Sequence, residues 1–486
     1  MGSRESAVAR AVSFFDDGRF RDLLAGLIAI PSTSQEEAHA ADVARYLDEA
    51  IRPWLARLGF ACTIHPNPEP GFGPILAAER IEDPGLPTVL TYGHGDTVRG
   101  LDEQWRAGLS PWRLTVEGDR WYGRGTADNK GQHALNLAAL EAVLAERGGR
   151  LGCNLKLVLE TSEERGSIGL GAFVAQHAEA LAADVLIGSD GPRVAPDVPT
   201  IATGTRGTFH FDLAVRLRPG GIHSGHWGGL AKDPAIVLAH AIGAIADRQG
   251  RILVREWLPK GGVPESVARV LAGCPVGGGA EAAAIDPAWG EPGLTAAEKI
   301  YGWNSFIVLA MLSGQPSGPV NAVAPDAIAN CQIRYTVDTD PETFAPALRR
   351  HLDRAGFPEV APGVAIENAR VRMKASRTDP ADPWVRFTAA SMERTLARHV
   401  QVIPNSSGGL PGDVFADQLG VALVWIPHSY NGCGQHGPNE HLLAQPAREA
   451  IAAMAGLFWD LGEAGPPARQ RGKPAQNTRK REEEHA

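Results

Sequence analysis

Three short apolar runs, each leading into an acidic or histidine-bearing turn, constrain this chain more than any other feature. They are 88–92 (TVLTY), 154–160 (NLKLVLE) and 184–189 (DVLIGS). Each is too short for a helix and rich in β-branched or long aliphatic residues, so each reads as a strand buried on both faces. A helical stretch at about 133–147 lies between the first two. An earlier helix is expected over 35–58, where Ala44, Leu47, Ile51, Trp54, Leu55 and Leu58 recur at helical spacing. Ser34 followed by Glu37 matches a capping box at its start. Buried strands alternating with helices form an α/β sheet, largely parallel.

The texture changes after about residue 204. Phe209, Phe211, Leu213 and Val215 alternate as in a half-buried strand, and Cys331, Ile333, Tyr335 and Val337 do the same. Helical segments are read near 234–248 and 342–355, with a Gly-, Ala- and Pro-rich connection at 260–295. The α/β texture returns near 384, with a helix at 384–398, a strand at 421–426 and a last helix at 446–461. The expected organisation is one α/β domain in two pieces, 1–204 and 381–465, interrupted by an α+β insertion at 205–380. Residues 466–486, polar and Pro-containing, read as a disordered tail.

Charge and cysteine content narrow the function classes. Lys plus Arg is 47 and Asp plus Glu is 56, a net −9. Such a chain lacks the broad basic field that nucleic acids or anionic membranes attract. No run approaches the roughly 18 apolar residues of a membrane span, and the N-terminal residues have no apolar core of signal-peptide length. Five cysteines at wide spacing, without a CxxC, fit free thiols in a reducing compartment, so a cytoplasmic protein is expected.

Chemistry gathers where the strands end. TVLTY runs into GHGDTV with His94 and Asp96, and YGRGTADNKG follows with Asp128. NLKLVLE runs into TSEERGS with Glu163 and Glu164, DVLIGS runs into Asp190, and NGCGQHGPNEH supplies His436. In an open α/β sheet the carboxyl ends of the strands face one crevice, so these distant positions can converge. A GHGD alone is an ordinary turn, a Glu pair alone is solvated surface and an Asp after a strand is often a helix cap. Five such positions, most of them at strand ends, point instead to ligands for divalent ions. Two adjacent ions need a bridging carboxylate and flanking ligands, and one unligated carboxylate must move the proton. Glu163 and Glu164 can split these tasks if the strand end is extended, because neighbouring side chains then point oppositely. Asp96 is placed to orient His94 through its second nitrogen.

As an ordered set, GHGDTV, YGRGTADNKG, TSEERGS, the Asp190 strand end and HGPNE resemble the dinuclear zinc metallopeptidase family. That family includes carnosinase, cytosolic nonspecific dipeptidase, aminoacylase, glutamate carboxypeptidase, acetylornithine deacetylase and succinyl-diaminopimelate desuccinylase. The similarity runs from about residue 20 to 462 in family order. It implies a zinc-peptidase-type α/β catalytic domain with a mostly parallel mixed sheet, interrupted by an inserted α+β lid that mediates homodimerisation. It implies two divalent ions, Zn2+ first, with Mn2+ or Co2+ as alternatives. His94, Asp128 and Asp190 would surround one ion and Asp128, Glu164 and His436 the other. Glu163 would be the general acid/base and Asp96 the support of His94.

The resemblance reaches the insertion too. GIHSGHWGG looks like the HSG segment of carnosinase-type lids, which implies that His223 stabilises the oxyanion in the partner's site. His226 has no such match. Arg334, alternating with Ile333 and Tyr335 and so facing away from the apolar side, resembles the lid Arg that grips a substrate carboxylate. Asn321 in PVNAVAP lies in a segment that lines the site in relatives, and Gly408 and Gly409 in SSGGLPGD offer backbone N–H groups to a carboxylate. The implied activity is hydrolysis of a peptide-like amide in a small carboxylate-bearing substrate, a dipeptide first and an N-acyl amino acid as the alternative. A non-catalytic metal-binding protein of the same fold is the remaining reading.

Overall fold

The computed structural model describes residues 2–277, 284–360, 363–406 and 408–464. The tail expected at 466–486 lies outside the described residues.

The chain opens with a helix, α1 (Arg4–Asp16), and then builds six strands of one sheet: β1 (Ala61–His65), β2 (Ile75–Arg80), β3 (Thr88–His94), β4 (Asn154–Glu160), β5 (Val185–Gly188) and β6 (Thr200–Ala202). Helix α2 (Lys130–Glu146) connects β3 to β4. A second unit follows, with strands β7 (Gly207–Arg216), β8 (Ser305–Ser313), β9 (Asp326–Tyr335) and β10 (Ala365–Met373) and helices α3 (Pro234–Ile245) and α4 (Phe344–Arg354). The chain then returns with α5 (Pro383–Leu396), β11 (Gln401–Ile403), β12 (Ala422–Trp425) and α6 (Ala444–Ala464).

The first sheet has the order β1-β2-β4-β3-β5-β12-β6-β11. Its centre, β4-β3-β5-β12, is parallel throughout, and β1 and β2 join antiparallel at one edge. Strand β4 is buried at every position, as its continuous aliphatic run requires. Helix α2 is buried along nearly its whole length and packs between the sheet, α1 and α6. Each fully buried aliphatic side chain contributes roughly 1.5–3 kcal/mol. Because the four central strands run the same way, His94, Glu160, Gly188 and Trp425 finish at one edge.

The second sheet is antiparallel, in the order β8-β9-β7-β10. Phe209, Phe211, Leu213 and Val215 of β7 and Ala329, Cys331, Ile333 and Tyr335 of β9 point to one face, where they pack against α3 and α4. The opposite face is polar, with Asp212 bonded to Asn330 and Asn368, and His210 bonded to Gln332. The fold is thus a mixed α/β domain carrying an inserted α+β domain, where the resemblance places the lid.

One expected element breaks up. The helix over 35–58 is a 3₁₀ turn (Glu37–His39), a short α-helix (Ala40–Arg45), a π-helical turn (Tyr46–Ile51) and a second α-helix (Arg52–Arg57) with a proline in its first turn. The π segment opens with Tyr46, which is fully buried and bonds His133 on α2. Apolar spacing alone does not distinguish such a turn from a regular helix. Ser34 does not cap the segment. Its hydroxyl donates to Asp96 instead, at 2.6 Å.

Candidate metal centre

The parallel strand ends bring the predicted ligands together. His94 closes β3, fully buried. Its Nε2 lies 3.0 Å from Asp128 Oδ1, 3.6 Å from Asp190 Oδ2 and 4.0 Å from Glu163 Oε2. His436, on a loop before the last helix, places Nε2 3.3 Å from Asp128 Oδ2 and 3.2 Å from Glu164 Oε2. The two oxygens of Asp128 therefore face two different imidazoles. His94, Asp128 and Asp190 form one group whose ligand atoms lie within 4.8 Å of one another, and Asp128, Glu164 and His436 form a second. Each group offers one imidazole and two carboxylates, a donor set that suits zinc and accepts manganese or cobalt.

The electrostatics of this cluster are those of a site built for cations. Burial, then the neighbouring Asp128, pushes Glu164 up to about 7 and Asp190 up to about 6. Burial also raises Glu163 well above the usual carboxylate range, with His94 opposing and Glu164 and Asp190 adding to the rise. Burial works to raise Asp128 as well, but hydrogen bonds from His436 and His94 outweigh it and hold that carboxyl low. The imidazoles respond in kind. Hydrogen bonds to Asp128 and Glu164 lift His436 to about 11. For His94, burial opposes protonation, but the bonds to Asp128 and Asp96 win and raise it. Divalent ions bound here would offset the negative charge of these crowded carboxylates.

The acidic pair is held differently from the sequence expectation. Glu163 and Glu164 begin a 3₁₀ turn, not an extended strand end. Their side chains still diverge, since Glu163 faces His94 and Glu164 faces His436. Asp96 is the anchor of this turn. Its carboxylate accepts the backbone N–H groups of Glu163 and Glu164, each at 3.2 Å, together with the Ser34 hydroxyl. His94 Nδ1 is met at 3.0 Å by the backbone oxygen of Asp96, with the carboxylate farther off at 3.4 Å.

Several supporting residues escaped the sequence reading. Asn129 accepts from the His94 backbone N–H at 3.3 Å, bonds His133 at 3.0 Å and donates to the Ser189 carbonyl at 2.8 Å. It thereby ties the backbones that carry His94 and Asp190. Arg124 and Glu440 form a buried ion pair at 2.8 Å beside Asp128. Glu440 stands four residues after His436 in the same run, and Asn129 directly follows Asp128. Proximity to a ligand was the one available signal for either.

His223 and the substrate-binding candidates lie elsewhere. His223 is exposed, its ring stacked on His226 at 4.2 Å and its Nδ1 accepting from the Gly225 N–H. Asn321 is exposed and presents its carbonyl to the Ser224 N–H at 3.0 Å. Arg334 is half-buried on the polar face of the lid sheet, with Nε donating to Gln332 at 3.1 Å. Gly409 packs so closely on Met373 of β10 that a Cβ would lie 2.6 Å from its methyl carbon, whereas Gly408 has open space around it. None of these bonds and contacts involves a metal-ligand candidate.

A family model described as Peptidase family M20/M25/M40 matches residues 90–460. The Cysteinylglycine-S-conjugate dipeptidase of Corynebacterium striatum is 31% identical over 369 residues, which are 74% of this chain and 76% of that one. The crystal structure of human carnosine dipeptidase 1 is similar with a TM-score of 0.75 at 20% identity, covering 94% of this chain and 99% of that one. A Bacillus subtilis protein described as a dinuclear metal-binding peptidase from the M20 family is similar with a TM-score of 0.54 at 14% identity, covering 92% and 98%. At these identities the two structures speak for the fold.

Proposed function

Because the chain belongs to peptidase family M20/M25/M40, we propose that it is a metal-dependent dipeptidase acting on small substrates with a free carboxylate. The observation that carries this reading is the pair of ligand groups sharing Asp128, with the carboxylate of Glu163 held beside them at 4.0 Å from His94. His94, Asp128 and Asp190 would hold one divalent ion and Asp128, Glu164 and His436 the second, zinc being the ion this donor set suits best. Such ions, when bound, polarise a scissile carbonyl and make water acidic enough to attack it near neutral pH.

The remaining steps belong to the chain's own residues. Glu163 takes the proton of the attacking water and returns it to the departing amine nitrogen. Burial keeps its carboxyl basic enough for this exchange. Asp96 holds the backbone on which Glu163 turns. His223 donates to the oxyanion, and Arg334 grips the terminal carboxylate in a bidentate fork. Asn321 and the backbone of Gly408 and Gly409 line the same substrate end.

The lid also supports a homodimer. Strand β8 is an edge strand, and Leu309, Met311 and Leu312 on it are exposed. An uncovered apolar edge of this kind is a surface a second copy would bury. The five free cysteines fit a cytoplasmic setting.

The test is a substrate screen on zinc-loaded protein, comparing a dipeptide panel with N-acetyl and N-succinyl amino acids. Hydrolysis of dipeptides is the expected result. Activity confined to the acyl amino acids would overturn the dipeptidase assignment in favour of a deacylase.

A further inference from the structure

The two ligand groups are supported unequally. His94 sits on a central strand, 1% exposed at its side chain, with both ring nitrogens bonded and its backbone tied by Asn129. His436 is 61% exposed at its side chain and sits on a loop. Its backbone is in the left-handed region, φ 61°, as are Gly434 at 73° and Asn439 at 63°. Non-glycine residues seldom adopt that region, although histidine and asparagine enter it more readily than most. Hydrogen bonds secure the loop that carries these residues.

Glu440 is the hub of those bonds. Its carboxylate, 1% exposed, accepts the backbone N–H groups of Gly125 at 3.0 Å, Ala127 at 2.9 Å and Asp128 at 3.1 Å, and the Arg124 guanidinium at 2.8 Å. The carbonyl of Glu440 accepts from the Gly123 N–H at 3.0 Å. Arg124 closes the ring by donating Nη2 to the carbonyl of Gly437, next to His436, at 2.8 Å. One buried carboxylate thus fixes the backbone of Asp128 and, through Arg124, the loop that carries His436.

We propose that Glu440 is a positioning residue that sets the spacing between Asp128 and His436, so that binding at Asp128–Glu164–His436 depends on it more than binding at His94–Asp128–Asp190. The proposal rests on the paired-site reading above. Asp128 belongs to both groups, but in the first its partners His94 and Asp190 have supports of their own. In the second, the exposed His436 is oriented by the loop that Glu440 and Arg124 secure.

The experiment is a zinc titration of the metal-stripped chain by calorimetry, with elemental analysis after dialysis, on the wild type and on Glu440→Gln. The amide keeps the size of the side chain but turns two acceptor oxygens into one. The wild type should take up two ions. Glu440→Gln should keep the tighter ion within about threefold and bind the weaker one at least about tenfold less well, the usual cost of losing an outer support. Arg124→Lys leaves the amide contacts of Glu440 in place but removes the reach to Gly437. It should show the same selective loss, and it serves if Glu440→Gln fails to fold by circular dichroism. Equal weakening of both ions, or no weakening, overturns the proposal while leaving the paired site standing. A wild-type chain that takes up a single ion sinks the paired site and the proposal together.

Discussion

His94 and His223 both enter the proposed reaction, yet their surroundings are opposite. His94 is buried at the end of a central strand, where both ring nitrogens meet fixed oxygens and three carboxylates lie within 4.0 Å of Nε2. His223 is exposed on the lid, and its ring contact and hydrogen bond stay within residues 223–226. The difference follows from what each must hold. Ligands crowd like charges together, and only a rigid, buried frame keeps mutually repelling carboxylates in place before a cation arrives. A donor to the oxyanion meets charge that exists only during the reaction, so it can wait on a mobile or partner-supplied surface. The ligand candidates are therefore gathered at buried strand ends, whereas His223 and Asn321 stand exposed on the insertion.

The largest effect should come from Glu163, a carboxylate of the cleft that belongs to neither ligand group. Glu163→Gln keeps the shape of the side chain but cannot accept the proton. It should lower kcat by about 10³-fold while zinc uptake stays at the wild-type stoichiometry. Turnover and metal content measured on the same preparation decide the matter. A wild-type rate in fully loaded Glu163→Gln would show that the proton moves through another group. A loss of metal alongside the rate would instead place Glu163 among the ligands.

The lid side of the comparison predicts a smaller loss with a different signature. His223→Ala should lower kcat by about 10²-fold, the scale of removing one oxyanion donor, with zinc content unchanged. His226→Ala should cost only about threefold, the worth of one ring contact. Equal losses in the two variants would mean that the stacked pair acts as a unit. Mixing Glu163→Gln chains with His223→Ala chains should restore part of the activity if each site borrows its histidine from the partner. A mixture no more active than its components would return His223 to its own chain's site.

Legibility in the sequence divides along the same line. Strands β3, β4, β5, β7, β9 and β12, and the ligand candidates that follow β3, β4 and β5, could be read because residue type, apolar run length and position at a strand end are local properties, whereas β1, β2, β6, β8, β10 and β11 were not read. Residue 154 to 160 needs only its own composition to be a buried strand, and Asp190 needs only the strand before it. Supports are not local. Glu440 bonds residues 124–128 from more than 300 positions away, and nothing in either segment marks the pairing. Asn129 looks like an ordinary helix-start residue until its bonds to β3 and to Ser189 are seen. The π turn at Tyr46–Ile51 was hidden for the converse reason, since its apolar positions fit a regular helix equally well. The lid residues were legible only by resemblance, because an exposed histidine or a strand arginine has no local pattern that separates function from solvation.

Ser34 offers the finest test of how far rigidity extends behind the cleft. The sequence pattern makes it a helix cap, but its hydroxyl donates at 2.6 Å to Asp96, whose carboxylate also holds the Glu163–Glu164 turn. As a cap, its loss would cost about 1 kcal/mol of stability and leave catalysis alone. As the third donor to a buried carboxylate, its loss removes a charge-assisted bond, worth about 1.5 kcal/mol, from the group that aims Glu163. Ser34→Ala should therefore lower kcat by about tenfold with KM and zinc content nearly unchanged, and Ser34→Thr should recover most of it because the hydroxyl returns. A lower melting temperature with full kcat would restore the capping role and confine the rigid frame to Asp96 itself.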